Sequence, residues 1–351
     1  MWRRRREVME YFAFQWHITD TCDQRCEHCY IFSEGHPKLV SISMNNAAKV
    51  IDNCVEMCRK MDRLPYLYIT GGDPILHPHF WEILELVHQS QIPFTLMGNP
   101  FHLTVDVCRR FKALGCQKYQ LSIDGKRETH DSIRKPGSFD ATLKAIDILH
   151  AAGVRVAIMS TVSGTNINEF EEIIDTVVDK KVEIFAFGRY CPTSREKAIS
   201  EKTHIEPLEY KAFLQRVWNK FDQYKECGTA FNLKDHLWTL FLYEKGLFSI
   251  PDVLDKDGIY DGCNCTNCHM TITPTGEVMA CRRFDSPVGN AFKESLHSIY
   301  EGPKMDYYRQ FGKFEKCSKC ELLRFCRGCP AVAYGYNHDF YSPDPQCWKE
   351  V

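Results

Sequence analysis

The chain has 351 residues, more than one typical domain holds, so one large domain with a smaller appendage is expected. Its 44 Lys and Arg against 46 Asp and Glu leave a formal charge of -2, which argues against a nucleic-acid binder driven by bulk charge. Hydrophobic residues at 44% and charged residues at 26% are globular proportions and exclude a disordered chain.

In chain order, the basic stretch Arg3 to Arg6 is followed by Glu7 and Glu10 rather than by an apolar signal region. No apolar run approaches the roughly 18 residues that a membrane helix needs, so a cytoplasmic protein with no membrane contact is expected. From Phe12 to Phe187 short apolar runs alternate with amphipathic helices. Strands are predicted at Phe12 to Ile18, Tyr66 to Ile69, Phe94 to Met97, Tyr119 to Ile123, Val154 to Val162 and Val182 to Phe187. Between the first two, Ala47, Ile51, Cys54, Cys58 and Met61 recur at helical spacing on one face. Such alternation specifies a parallel α/β sheet with crossover helices, and six strands are too few for the closed eight-stranded form, so a partial barrel is expected. Its site should lie at the C-terminal strand ends. Residues 205–254 read as a helical connector, which divides the chain into 1–204, 205–254 and a cysteine-rich 255–351 that depends on metal for its fold.

The 18 cysteines carry the functional signal, because in a reducing compartment such residues are more often metal ligands or catalytic groups than disulfides. Cys22, Cys26 and Cys29 stand alone near the N-terminus, and nine crowd between Cys263 and Cys347. Three thiols in a loop at the catalytic end of a sheet leave one iron of a four-iron cluster free to hold something else. A zinc site completed by His28 is the alternative. The strand ending at Ile69 runs into Gly71, Gly72, Asp73 and Pro74, where the glycines can expose backbone to a ligand. Ser122 and Asp124 close the fourth strand on one face, and Arg134 follows; Asn99 and Arg189 are weaker candidates at other strand ends.

Cys22-x3-Cys26-x2-Cys29 resembles the signature of the radical S-adenosylmethionine (AdoMet) superfamily. The resemblance implies that these three cysteines hold the catalytic [4Fe-4S] cluster, whose free iron chelates AdoMet. It also implies AdoMet contacts from Tyr30, Gly71, Gly72, Asp73, Pro74, Ser122, Asp124 and Arg134. Downstream, Gly276-x4-Cys281, then Cys317-x2-Cys320-x5-Cys326-x2-Cys329, then Cys347, is similar to the SPASM extension of that family, with x2 where the family pattern has x3. This implies two auxiliary [4Fe-4S] clusters, three clusters in all. Cys317, Cys320, Cys326 and Cys347 would hold one. Cys281, Cys329 and two of Cys263, Cys265 and Cys268 would hold the other, with one cysteine left over. Cys54 and Cys58 read as core, and Cys191 as core or loop filler that merits a test.

The family chemistry implies a 5′-deoxyadenosyl radical, an electron donor such as flavodoxin or ferredoxin, and oxidation of a residue in a peptide or protein. A Cys-containing ribosomal peptide cross-linked as a thioether is the leading expectation. Only 21 residues precede Cys22, too few for a fused leader-binding domain, so a separate leader-peptide recognition protein or direct docking is expected. Formylglycine generation in a sulfatase, with Asp285 as base, and tetrapyrrole modification are enzymatic alternatives. An iron-sulfur electron carrier or zinc module is the noncatalytic one.

Overall fold

The computed structural model describes residues 11–32, 38–193, 200, 202–253 and 259–351, so the stretch from Arg3 to Glu10 lies outside the described residues. Six strands pair in parallel and in chain order: β1 (Tyr11–Thr19), β2 (Leu64–Gly71), β3 (Phe94–Met97), β4 (Cys116–Leu121), β5 (Val156–Val162) and β6 (Ile184–Arg189). Alternation along β1 shows why. Phe12, Phe14, Trp16 and Ile18 are fully buried, while Ala13 and Gln15 on the other face are half-buried. The apolar face joins the core with Val50, Ile51, Cys54 and Cys58 of the helix Met44–Lys60, so Cys54 and Cys58 are core residues as expected. That helix starts where Ser43 accepts a hydrogen bond from the Asn46 amide, a cap that contributes about 1 kcal/mol.

The connector departs from its helical reading. Between the helices Pro207–Gln223 and Leu237–Glu244 lies a three-residue strand, β7 (Ala230–Asn232), parallel to β6. Three residues carry no periodicity, so only the open edge of β6 creates this strand. At the opposite edge, β8 (His269–Ile272) pairs in parallel with β1, and β9 (Glu277–Met279) and β10 (Pro287–Asn290) follow antiparallel, extending one sheet to ten strands. The cysteine-rich segment is therefore joined to the barrel by backbone hydrogen bonds. Asn53 adds to the join by donating to the carbonyls of Ala291 and Glu294 and accepting from the Leu296 amide at 2.7 Å.

Candidate active site

The three N-terminal cysteines occupy the loop that leaves β1, all half-buried. Backbone contacts fix the loop: the Cys29 amide donates to Cys26 O at 3.0 Å and the Glu27 amide to Ile133 O at 2.8 Å. Cys22 Sγ accepts from Asn99 Nδ2 at 3.2 Å and from the Gln24 amide at 3.4 Å. Burial pushes the Cys22 thiol up and the Cys26 thiol up to about 11, so a bound cation is what makes thiolates of them at neutral pH. His28 does not complete a zinc site with them. Its Nε2 lies 3.7 Å from Asp124 Oδ2, and burial holds it neutral with a pKa of about 4.

The Gly-Gly-Asp-Pro turn packs directly against this loop. A Cβ on Gly71, which sits at φ +140°, would lie 2.0 Å from Thr19 O, and one on Gly72 would lie 2.2 Å from Thr21 O. The amides of Gly72 and Asp73 are spent on those same carbonyls, at 2.7 and 2.8 Å, so these two N–H groups hold the turn to the loop and leave acceptors as what it can offer a ligand. The Asp73 side chain is one such acceptor. Its Oδ1 accepts from the Asn99 amide at 3.4 Å, while its buried Oδ2 has no hydrogen-bond partner among the described residues. Burial pushes the carboxyl up to about 7. An uncompensated buried acceptor calls for a cationic donor, and the ammonium of an amino acid moiety fits that need. Pro74 is buried and opens the short turn Pro74–Leu76 that follows.

Asn99 is the hub of this corner, because its Nδ2 also donates to Asp23 Oδ1 at 2.9 Å while its carbonyl accepts from the buried Tyr119 hydroxyl. Asp124 turns inward: Oδ1 accepts from the Thr161 amide at 2.8 Å and Oδ2 from Arg134 Nε at 2.5 Å. With both oxygens engaged, Asp124 orients Arg134, whose Nη1 reaches Cys26 Sγ at 3.9 Å. Ser122 stays half-buried two residues before it. A cavity of about 120 Å³ opens beside the loop, lined by Glu27, His28, Ile133, Thr161 and Tyr190 among others. Of those wall residues only His28 carries a sequence signal.

Arg189 is a correction. It is 3% exposed and donates from Nε to Asp235 at 2.9 Å and through both terminal nitrogens to Asp344, at 2.6 and 2.7 Å. Its charge is consumed by this bidentate latch between β6, the connector and the C-terminal segment, so it is not available to a small-molecule cofactor.

The C-terminal sulfurs separate into two groups. Cys317, Cys320, Cys326 and Cys347 crowd one another, and burial followed by Cys347 pushes the Cys317 thiol up to about 12. Cys263 and Cys265 lie side by side, and Cys265 lies beside Cys281. Cys268 is 5% exposed within the main hydrophobic core. The turn after Cys281 spans the two ends of the site: the Arg282 guanidinium lies 4.8 Å over the Tyr30 ring, while Arg283 Nη1 donates to Cys191 Sγ at 3.6 Å.

Comparison with known proteins decides what this arrangement is. The radical SAM superfamily matches residues 16–177, and SPASM, an iron-sulfur cluster-binding domain, matches residues 263–330. The chain belongs to the radical SAM superfamily and carries a SPASM domain. It is 27% identical to the AdoMet-dependent heme synthase of Nitratidesulfovibrio vulgaris over 95% of this chain and 90% of that protein. It is 24% identical to the mycofactocin maturase MftC of Mycobacterium ulcerans over 95% and 86%. Streptococcus suis SuiB bound to precursor peptide SuiA has the same fold, with a TM-score of 0.75 at 18% identity over 97% of this chain and 76% of that one.

This radical SAM SPASM protein is thus an enzyme that binds AdoMet and iron-sulfur clusters, and the residues present fit both groups. The orphaned Asp73 oxygen suits the AdoMet amino group, and the two groups of C-terminal sulfurs suit iron-sulfur clusters. The sequence reading missed Asp23, Arg282 and Arg283. No local spacing marks them, because each acts on a group contributed by a distant segment.

Proposed function

We propose that this enzyme cleaves AdoMet reductively and oxidises a Cys-containing peptide by two electrons, forming a thioether. Cys22, Cys26 and Cys29 hold the catalytic cluster, and the other cysteine groups hold two auxiliary clusters. With these groups bound, AdoMet would supply the hydrogen-abstracting radical and an auxiliary cluster would take the second electron. The observation that carries the reading is the Arg282–Arg283 turn, which connects the catalytic loop at Tyr30 to the sulfurs around Cys191 and Cys281. Asp73, Asn99 and Arg134 orient the catalytic end, and the half-buried lumen face with Gln15, Tyr68, Gln120 and Met159 receives substrate. Maturases among the curated relatives support a peptide substrate. Incubation with a candidate Cys-containing precursor peptide, AdoMet and reductant should give a product two hydrogens lighter with one cysteine no longer alkylatable. An unchanged peptide mass beside active AdoMet cleavage refutes the substrate class.

Tetrapyrrole oxidation is a second reading, favoured by one feature of the lumen. Lys118 and Lys234 are in no ion pair among the described residues, and Lys234 reaches Met159 Sδ at 3.8 Å. Surrounding protein and then Arg283 push the Lys234 ammonium down to about 8, although the side chain keeps solvent contact. Two lysines without carboxylate partners suit a polycarboxylate, and the heme synthases are relatives along nearly the whole chain. Loss of propionate carboxyls from an iron porphyrin, with the peptide inert, would establish it. Formylglycine generation is less favoured, since Asp285, its expected base, is exposed beside Tyr308 while its neighbours Arg282 and Arg283 face Tyr30 and Cys191.

A further inference from the structure

Cys191 lies two residues beyond β6, in the barrel half of the chain, and its thiol meets Arg189 O at 3.8 Å, yet its sulfur also lies beside Cys329 of the SPASM domain. Cys281 is close enough to act on it, and Arg283 Nη1 donates to its sulfur at 3.6 Å. The approach is built into the backbone. Arg189, two residues earlier, is clamped to Asp235 and Asp344, and Asp344 Oδ2 in turn accepts from the Cys329 amide at 2.7 Å. One residue after Cys191, Pro192 O sits where a Cβ on Gly335 would come within 2.4 Å, so the segment is wedged against the helix Pro330–Asn337 that Cys329 caps.

Five sulfurs therefore converge where a four-iron cluster needs four: Cys191, Cys263, Cys265, Cys281 and Cys329. Cys268 keeps its sulfur 3.9 Å from Asn264 O and its side chain in the hydrophobic core, with Cys263 the sulfur close enough to act on it. Cys263 and Cys265, one residue apart, touch each other, and Cys263 is also held by the His236 side chain. We propose that Cys191 is a ligand of this auxiliary cluster, together with Cys281, Cys329 and one sulfur of the Cys263–Cys265 pair. The cluster then ties the barrel wall to the SPASM domain through iron, and no ligand comes from Cys268.

This inference rests on the three-cluster reading, and the test separates the two. Full-length protein is reconstituted anaerobically, iron is counted, and the dithionite-reduced clusters are recorded by electron paramagnetic resonance. Wild type should hold about twelve irons, at about four per cubane. Cys191→Ala should lose between about one and four irons, as a three-iron cluster or an empty site. Cys191→Ser, which keeps an anionic oxygen donor, should restore about twelve irons with an altered spectrum. Cys268→Ala should match wild type in both readouts. Full iron with an unchanged spectrum in Cys191→Ala overturns the proposal, as does failure of Cys191→Ser to recover any iron. About four irons in wild type would instead defeat the three-cluster reading itself.

Discussion

Arg189→Met removes the cation from a latch in which Arg189, Asp235, Asp344 and Gln346 are 3%, 5%, 4% and 3% exposed. The methionine fills much of the space, so the loss is electrostatic: two buried carboxylates remain without their guanidinium. Breaking a buried pair by deleting one partner costs about 3–5 kcal/mol, because the surviving charge stays desolvated. In a chain of this size that corresponds to a fall in Tm of roughly 4–7 °C. The pH dependence gives a second handle. Burial raises the Asp235 pKa, and Arg189, aided by His236, overcomes that and holds it below the usual carboxylate range. A depressed carboxylate contributes stability that is present above its unfolded pKa and lost as pH falls through its folded pKa. Without Arg189 the Asp235 carboxyl titrates higher and is neutral in mild acid. The gap between wild type and variant should therefore narrow as pH falls from 7.5 toward 4.5. Anaerobic thermal scans of both proteins at matched iron content measure this. Adding Asp235→Asn and Asp344→Asn to Arg189→Met should recover at least half of the lost Tm. A variant within 1 °C of wild type, or a gap that widens in acid, refutes the assignment of Arg189 as a stabilising latch.

Ala substitution of Cys22, Cys26 and Cys29 together should abolish 5′-deoxyadenosine formation, whereas Cys317→Ala with Cys320→Ala should spare some uncoupled cleavage; chromatographic assay of deoxyadenosine decides both. Asn99→Ala removes the donor to Cys22 Sγ and the partner of Asp23, and should lower AdoMet cleavage by about 10–100-fold, as loss of a metal ligand's supporting hydrogen bond does. A fall in rate that only tracks a fall in bound iron in Asn99→Ala would show a structural role only. Gly72→Ala forces the turn away from Thr21 O and should cut cleavage by about 100-fold through misplacement of Asp73; a rate within twofold of wild type would contradict the packing. Lys234→Met should leave peptide modification nearly unchanged and weaken turnover of a carboxylate-rich porphyrin, so its KM for each substrate discriminates the two readings.

The N-terminal cysteine loop was legible in the sequence because such a loop is local: Cys22, Cys26 and Cys29 must be close in sequence to be close in space on one turn of chain. The six strands of the barrel and their crossover helices were legible for a related reason, since a buried face imposes its period on each segment separately, as Phe12, Phe14 and Trp16 show. Tertiary structure alone decided what those local features meet. Arg189 at a strand end looks like a ligand contact until Asp344, 155 residues away, is seen to take both of its terminal nitrogens. Asp124 is a polar residue at the site in either view, but only the fold turns it onto Arg134 and Thr161. The strand Ala230–Asn232 has no pattern of its own and exists because β6 leaves an unpaired edge. Within its own segment Cys191 meets the Arg189 carbonyl, at 3.8 Å, but the clamp that brings it to Cys329 is assembled from the barrel, the connector and the C-terminus together. Periodicity and motif spacing are properties of one segment. Charge compensation and ligand convergence belong to several, and they become definite only when the chain has closed on itself.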